Sequence, residues 1–180
     1  MKKQDSSTYP PQGMDRSEVE YHGPKSLRIE SYVLGDRQEE SVWLVSSRRK
    51  QRLSTPRLVK DNPFTLDRFA VGTNQDFIFG ARKVASGESD MFLWVRHGSE
   101  YKLLPETVNH WIVRRHGKPR GRNEITFVRL LEWRSGGNVV ALACNFDDDR
   151  RGPWQHVEID LVRGRFSPYK TLPEGWKSIL

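Results

Sequence analysis

Short apolar stretches separated by turn-forming residues run along this chain, some alternating with polar residues and some continuous, and that pattern predicts β-strands. The clearest stretch holds Val157, Ile159 and Leu161 alternating with Glu158 and Asp160. Successive side chains of a strand point to opposite faces, so the pattern marks one buried face and one polar face. Leu27, Ile29 and Val33 predict a first strand closed by Gly35-Asp36, and Val42-Trp43-Leu44-Val45 predicts a second. Phe77-Ile78-Phe79 and Met91-Phe92-Leu93-Trp94-Val95 are apolar at consecutive positions, as strands covered on both faces would be. The turn between them falls on Ser86-Gly87-Glu88-Ser89. Between residues 53 and 75, Pro56, Pro63, Gly72 and Asn74 break the pattern, leaving room for short strands at Leu58-Val59 and Phe69-Ala70-Val71. From Ile125 the chain reads as a meander. A strand to Trp133, a turn at Ser135-Gly136-Gly137-Asn138 and a strand from Val139 to Phe146 come first. A polar loop to Pro153, the alternating strand and a turn at Arg163-Gly164 into Arg165-Phe166 follow.

One segment has helical spacing. Val108, Trp111 and Ile112 fall at i, i+3 and i+4 and form one apolar stripe within a helix over about 105–116. Pro105 suits the first helical position, and Glu106 complements the positive end of the helix dipole. Arg114, Arg115 and His116 suit the last turn, and Gly117 can close it in the left-handed conformation.

Strands every 8 to 12 residues with turn signals between them predict a mainly β fold. It is an antiparallel sandwich or barrel-like sheet with one amphipathic helix; a propeller-like sheet also fits the spacing, but no repeat of fixed period supports a true propeller. Residues 1–23 combine Ser6-Ser7-Thr8, Pro10-Pro11 and Gly13 with charges and read as an N-terminal segment without order. Residues 24–166 read as a single β-rich domain, and 167–180 as an extended tail packed upon it.

Composition narrows the function classes. The 180 residues are 36% hydrophobic, too apolar for a disordered chain, and six Trp and eight Phe supply a core. No apolar run approaches the roughly 20 residues of a membrane helix, and no apolar segment follows Met1-Lys2-Lys3 as in a secretory signal. Cys144 is the single cysteine, which rules out an intrachain disulfide and a thiolate metal cluster. These features predict a cytoplasmic protein without a cofactor.

Charge changes the picture most. Lys and Arg total 30 against 23 acids, giving a net +7, and Arg outnumbers Lys two to one. Two short stretches concentrate the cations without an acid in either. One is Arg48, Arg49, Lys50 and Arg52; the other is Arg114, Arg115, Lys118, Arg120 and Arg122, with His116 inside it. The planar guanidinium fork matches phosphate and carboxylate, so such clusters point to an anionic partner. A GC-rich genome also enriches Arg, and composition alone does not separate the two readings.

Catalytic patterns are sparser. Asp90 before an apolar strand, then Glu100-Tyr101-Lys102 after a turn, is an acid followed by Glu-x-Lys, a spacing that can hold Mg²⁺ and place a lysine beside a phosphate. The outline is similar to the restriction-endonuclease-like nucleases. It departs from them in lacking apolar residues leading into Glu100 and a helix on the N-terminal side. His156, Glu158 and Asp160 share a strand face, and His-x-Glu can supply two ligands of a facial triad. No later histidine completes it, while His97, His110 and His116 could join only through the fold. Asp147-Asp148-Asp149 lacks the spacing and glycine of a calcium loop. Cys144 sits in an apolar strand, where a small buried hydrophobe is the usual role.

The reading that follows is a non-enzymatic binding protein whose basic surface engages an anionic macromolecule, foremost RNA or DNA. A protein-binding inhibitor of the immunity-protein type is the alternative, and a metal-dependent nuclease is a distant third.

Overall fold

The computed structural model describes residues 8–34, 39–56, 66–82, 90–122, 125, 127–146 and 154–180. Alternation in the sequence becomes three sheets built mostly from antiparallel neighbours. The first sheet holds β1 (Asp15–Ser17), β3 (Leu27–Leu34), β4 (Glu39–Ser46) and β5 (Lys50–Leu53), in the order β1-β3-β4-β5. The second holds β2 (Glu20–His22), β6 (Arg68–Val71), β7 (Phe77–Ala81), β8 (Met91–His97) and β9 (Glu100–Leu103), in that order. Its β2–β6 pair is parallel. The third runs β10 (Phe127–Arg134), β11 (Val139–Asn145), β12 (Trp154–Asp160) and β13 (Arg165–Phe166), with β14 (Lys170–Thr171) also paired to β12. The fold class is therefore mainly β with sandwich-like packing and, among the described residues, a single α-helix, α1 (Val108–His116).

The second sheet lies between the other two, and its strands show why two of them are apolar at every position. Phe69, Val71, Ile78, Phe92 and Trp94 pack on Ile29, Val42, Leu44 and Leu53 of the first sheet. The intervening Ala70, Phe77, Phe79, Met91 and Leu93 pack instead with α1 and the third sheet, against Val108, Ile112, Leu130, Leu142 and Val157. A strand buried on both faces has no polar side to display. Gly80 of β7 is required by close approach, since a Cβ there would lie 2.7 Å from the Trp94 ring. The outer face of the third sheet is crossed by the C-terminal segment. That segment pairs with β12 through β14, sets Trp176 against Trp154, and ends with Leu180 bonded to the main chain of Leu130.

Two expectations from the sequence change. Residues 1–7 lie outside the described residues, but order begins well before residue 24. Asp15–Ser17 pairs with Ser31–Val33, and Glu20–His22 runs parallel to Arg68–Ala70. These three-residue polar strands carry no periodicity of their own; their partners and the burial of Val19 and Tyr21 against the first core supply the register. The helix begins at Val108 rather than near Pro105. Thr107 is its N-cap, with Oγ1 accepting from the His110 amide, and Pro105 and Glu106 precede it. Gly117 closes it at φ 81° but with ψ −170°, an extended form open to glycine and not the left-handed helical conformation expected of it. The turns at Gly35-Asp36 and Ser86–Ser89, the strand at Leu58-Val59 and the Asp147–Asp149 loop lie outside the described residues. Among the described residues no helix is long and apolar enough to cross a membrane.

Candidate anion-binding surface

The first cationic stretch is a hairpin. Ser46 pins its turn: the Ser46 amide donates to the Arg49 carbonyl at 2.7 Å, and its Oγ accepts from the amides of Arg48 at 3.3 Å and Arg49 at 3.0 Å. Strand alternation then sends Gln51 and Leu53 inward, and Lys50 and Arg52 to the outer face of the first sheet. Arg48, Arg49, Lys50 and Arg52 are all exposed, and none has a carboxylate partner among the described residues. Lys50 Nζ stands 4.2 Å over the ring of Tyr9.

Tyr9 belongs to an aromatic group that sequence reasoning missed. The ordered N-terminal segment lays it across Tyr32 and Trp43 of the outer face. Glu30 sits beneath, 2% exposed. It accepts from Tyr9 Oη at 2.6 Å, Tyr32 Oη at 2.8 Å and Arg28 Nε at 2.6 Å, with Arg16 Nη2 at 3.4 Å. Burial alone would raise its pKa, but the hydrogen bonds from Tyr9, Arg28 and Tyr32 outweigh it and hold the carboxyl at about 2. A cross-strand argument could have found this group, because Glu30 pairs with Trp43 in register. What sequence lacks is the return of Tyr9 onto the sheet.

The second stretch is anchored elsewhere. Arg114 is bonded through Nε to both oxygens of Glu106, at 2.9 and 3.2 Å, which holds that carboxyl below its ordinary range. His116 stacks on Phe166 at 5.1 Å and touches the Tyr169 ring, while Tyr169 Oη donates to the Gly117 carbonyl at 2.8 Å. Burial lowers the His116 pKa, so the ring is mostly neutral at pH 7 and adds little to the charge. Arg115, Lys118 and Arg120 are exposed; Arg115 adds to the field of Arg114 on Glu106, and Lys118 and Arg120 have no carboxylate partner among the described residues. The two stretches are thus two separately anchored groups, one on the first sheet and one against the third.

Between the first two sheets, the β4–β5 hairpin and the β8–β9 turn enclose a cleft of about 110 Å³. Arg49, Arg96, Gln51, Gln75, Ser46 and Tyr101 supply its polar lining over a floor of Leu27 and Leu44. Both arginines are held by the same two-residue turn. Arg96 Nε donates to the Gly98 carbonyl at 3.0 Å, and Arg49 Nη2 donates to the Ser99 carbonyl. The Gln51 amide, with nitrogen toward Ser99 O and oxygen accepting from Tyr101 N at 3.1 Å, bridges the sheets. Tyr101 Oη donates to the carbonyl of Gln75, which holds a left-handed φ of 62°. Burial raises the Tyr101 phenol above its usual value and keeps it a proton donor.

The remaining candidates do not converge. Asp90 precedes β8 and Glu100 opens β9, where it pairs with His97 at the other end of β8. A seven-residue strand separates them by roughly 23 Å, so Asp90, Glu100 and Lys102 cannot share a metal ion. Asp90 lies instead 3.3 Å from Arg82. His156, Glu158 and Asp160 do share a face, but Glu158 is paired with Arg134, and Asp160 Oδ1 accepts from the amides of Val162 and Arg163. Among the described residues no three His, Cys, Asp or Glu side chains group as metal ligands. Cys144 is buried in the second core, where burial pushes its thiol pKa up and suppresses the reactive thiolate.

No protein-family model and no curated protein matches the chain. Among solved structures it is similar to TolB from Acinetobacter baumannii, with 11% identity and a TM-score of 0.43 over 97% of this chain. The chain spans 38% of TolB's length, and a likeness of that level carries no argument about activity.

Proposed function

We propose that the protein is a non-catalytic binding protein that engages the phosphate backbone of RNA or DNA. Arg48, Arg49, Lys50 and Arg52 are the principal contacts, and Arg115, Lys118 and Arg120 are a second point of attachment. One observation carries the reading: four exposed cations stand on a pinned hairpin, with no carboxylate partner among the described residues. Cations left uncompensated on a rigid element attract polyanions and release their counterions on contact. Arg114 and Arg122 belong to the same stretch of sequence, but Arg114 already engages Glu106.

Fluorescence anisotropy with generic single- and double-stranded oligonucleotides tests the proposal. Four phosphate contacts on duplex DNA predict about a hundredfold loss of affinity between about 50 and 200 mM salt. Reversing charge at Arg48 and Arg52 lowers both the affinity and the salt slope for every sequence. Binding that is undetectable at low salt sinks the proposal and promotes a protein partner of the inhibitor or immunity type, whose affinity would rest on a few anchors and tolerate salt.

A further inference from the structure

We propose that the cleft between the first two sheets seats a single phosphate group, held between the guanidinium groups of Arg49 and Arg96. Where that phosphate is the end of a nucleic-acid strand, the inference rests on the polyanion reading above; the seat itself does not.

The argument begins with what fixes the two arginines. Each is oriented by a carbonyl of the Gly98-Ser99 turn, not by a carboxylate. A carbonyl consumes one donor and leaves the positive charge uncompensated. Each guanidinium has five N–H donors in a rigid fork, so each keeps donors for an incoming anion. Among the described residues Arg96 is ion-paired with Asp76, whose Oδ1 lies 3.7 Å from its Nη1 with both side chains nearly half exposed, while Arg49 has no carboxylate partner. No acid lines the cleft.

The rest of the lining suits an oxyanion. Gln51 and Gln75 bring amides over an aliphatic floor of Leu27 and Leu44 that excludes water beneath, while the Ser46 hydroxyl is already donated to the Arg49 carbonyl. Donors in a partly desolvated recess bind charge more strongly than donors on an open surface. Among the described residues Gln75 is one of two non-glycine residues at positive φ, a costly conformation that tends to persist at binding sites. Tyr101 locks it by donating to its carbonyl. Size sets the ligand class. About 110 Å³ accommodates a phosphate with a water or two but falls well short of the roughly 300 Å³ at which pockets begin to hold a nucleoside-sized molecule. The seat therefore takes the phosphate alone. A strand running along Lys50 and Arg52 would leave its base and sugar outside and place its terminal phosphate within.

The test uses the full chain with inorganic phosphate, and with two oligonucleotides that differ only in a 5′-phosphate. The first readout is the Nε–Hε signals of Arg49 and Arg96 during a phosphate titration at constant ionic strength. Saturable shifts of these two, absent for chloride, are expected. The second is anisotropy, in which the 5′-phosphorylated strand binds about tenfold more tightly than its 5′-hydroxyl twin. Arg96→Gln removes that preference while the hydroxyl strand keeps its affinity; Arg96→Lys restores it only in part, because the fork is lost. Unchanged thermal melting of both variants separates loss of the seat from loss of the fold. No saturable phosphate shift together with equal affinity for the two strands overturns the inference and leaves hairpin binding intact. Shifts with phosphate while neither oligonucleotide binds support the seat, assign it to a free phosphate compound, and sink the polyanion reading instead.

Discussion

The two faces of the first sheet each bury a glutamate, and the two behave oppositely. Glu30 points outward under Tyr9; Glu40 points inward toward β6. Their exposures are 2% and 6%. Glu30 meets two phenols and two guanidinium groups, which spread over both of its oxygens. Glu40 meets only neutral donors, and both reach the same oxygen: Ser31 Oγ at 2.8 Å and the Leu66 amide at 2.9 Å bind Oε1. Burial raises the pKa of Glu40 to about 7, against the pull of Ser31 and Leu66 and with the charge of Asp67 adding to the rise. Depth and donors together decide the charge state of a buried acid: Glu40 lies deeper and meets fewer donors, none of them charged.

The pH windows that follow do not overlap. Glu30, with its folded pKa lowered from 4.5 to about 2, contributes stability that is complete above about 4.5 and is lost as the pH falls toward 2. Glu40, raised from 4.5 to about 7, contributes stability that is complete below about 4.5 and is lost as the pH rises through 7.

Breaking the stronger side of the comparison has the largest effect. Glu30→Gln replaces the charged acceptor of two phenols and two guanidinium groups with a neutral amide and is expected to cost about 3 kcal/mol at pH 7, measured by urea unfolding. A loss under 1 kcal/mol would show that the outer cluster does not hold its charge as described. Glu40→Gln runs the other way. The amide keeps Oε1 for both donors and removes the charge, so it is expected to stabilise by about 2 kcal/mol above pH 7 and to be neutral near pH 4.5. A gain that does not vary with pH would separate the effect from ionisation. Tyr9→Phe removes one of the four donors to Glu30 and is expected to cost about 1 kcal/mol. In the Glu30→Gln background that cost shrinks, because the two side chains share one network; strict additivity would mean that Tyr9 contributes through packing alone.

Strand alternation made most of the fold readable. The doubly apolar runs at 77–79 and 91–95 identify the middle sheet, because only a strand covered on both faces lacks a polar side. β1 and β2 were unreadable, since Asp15-Arg16-Ser17 and Glu20-Tyr21-His22 hold no periodicity and take their conformation from β3 and β6. The cationic hairpin was legible as charge. Arg96, Gln51 and Gln75 were not, because the cleft joins them across two sheets from positions 21 to 45 residues apart. Nothing in the alternation distinguishes Glu30 or Glu40 from other polar residues of a strand. Their environments depend on Tyr9 and Leu66, which the chain brings from a distance.

The N-terminal run places β1 in the first sheet and β2 in the second, with only Glu18 and Val19 between them. Backbone ladders therefore bind these two sheets along one margin, like pages sewn at a spine. At the opposite fore-edge the ties among the described residues are side chains: Gln51, Arg49 to Ser99, and Trp94 to the Ser54 carbonyl. The recess between Arg49 and Arg96 lies there, so its width can change without breaking a single rung of either ladder.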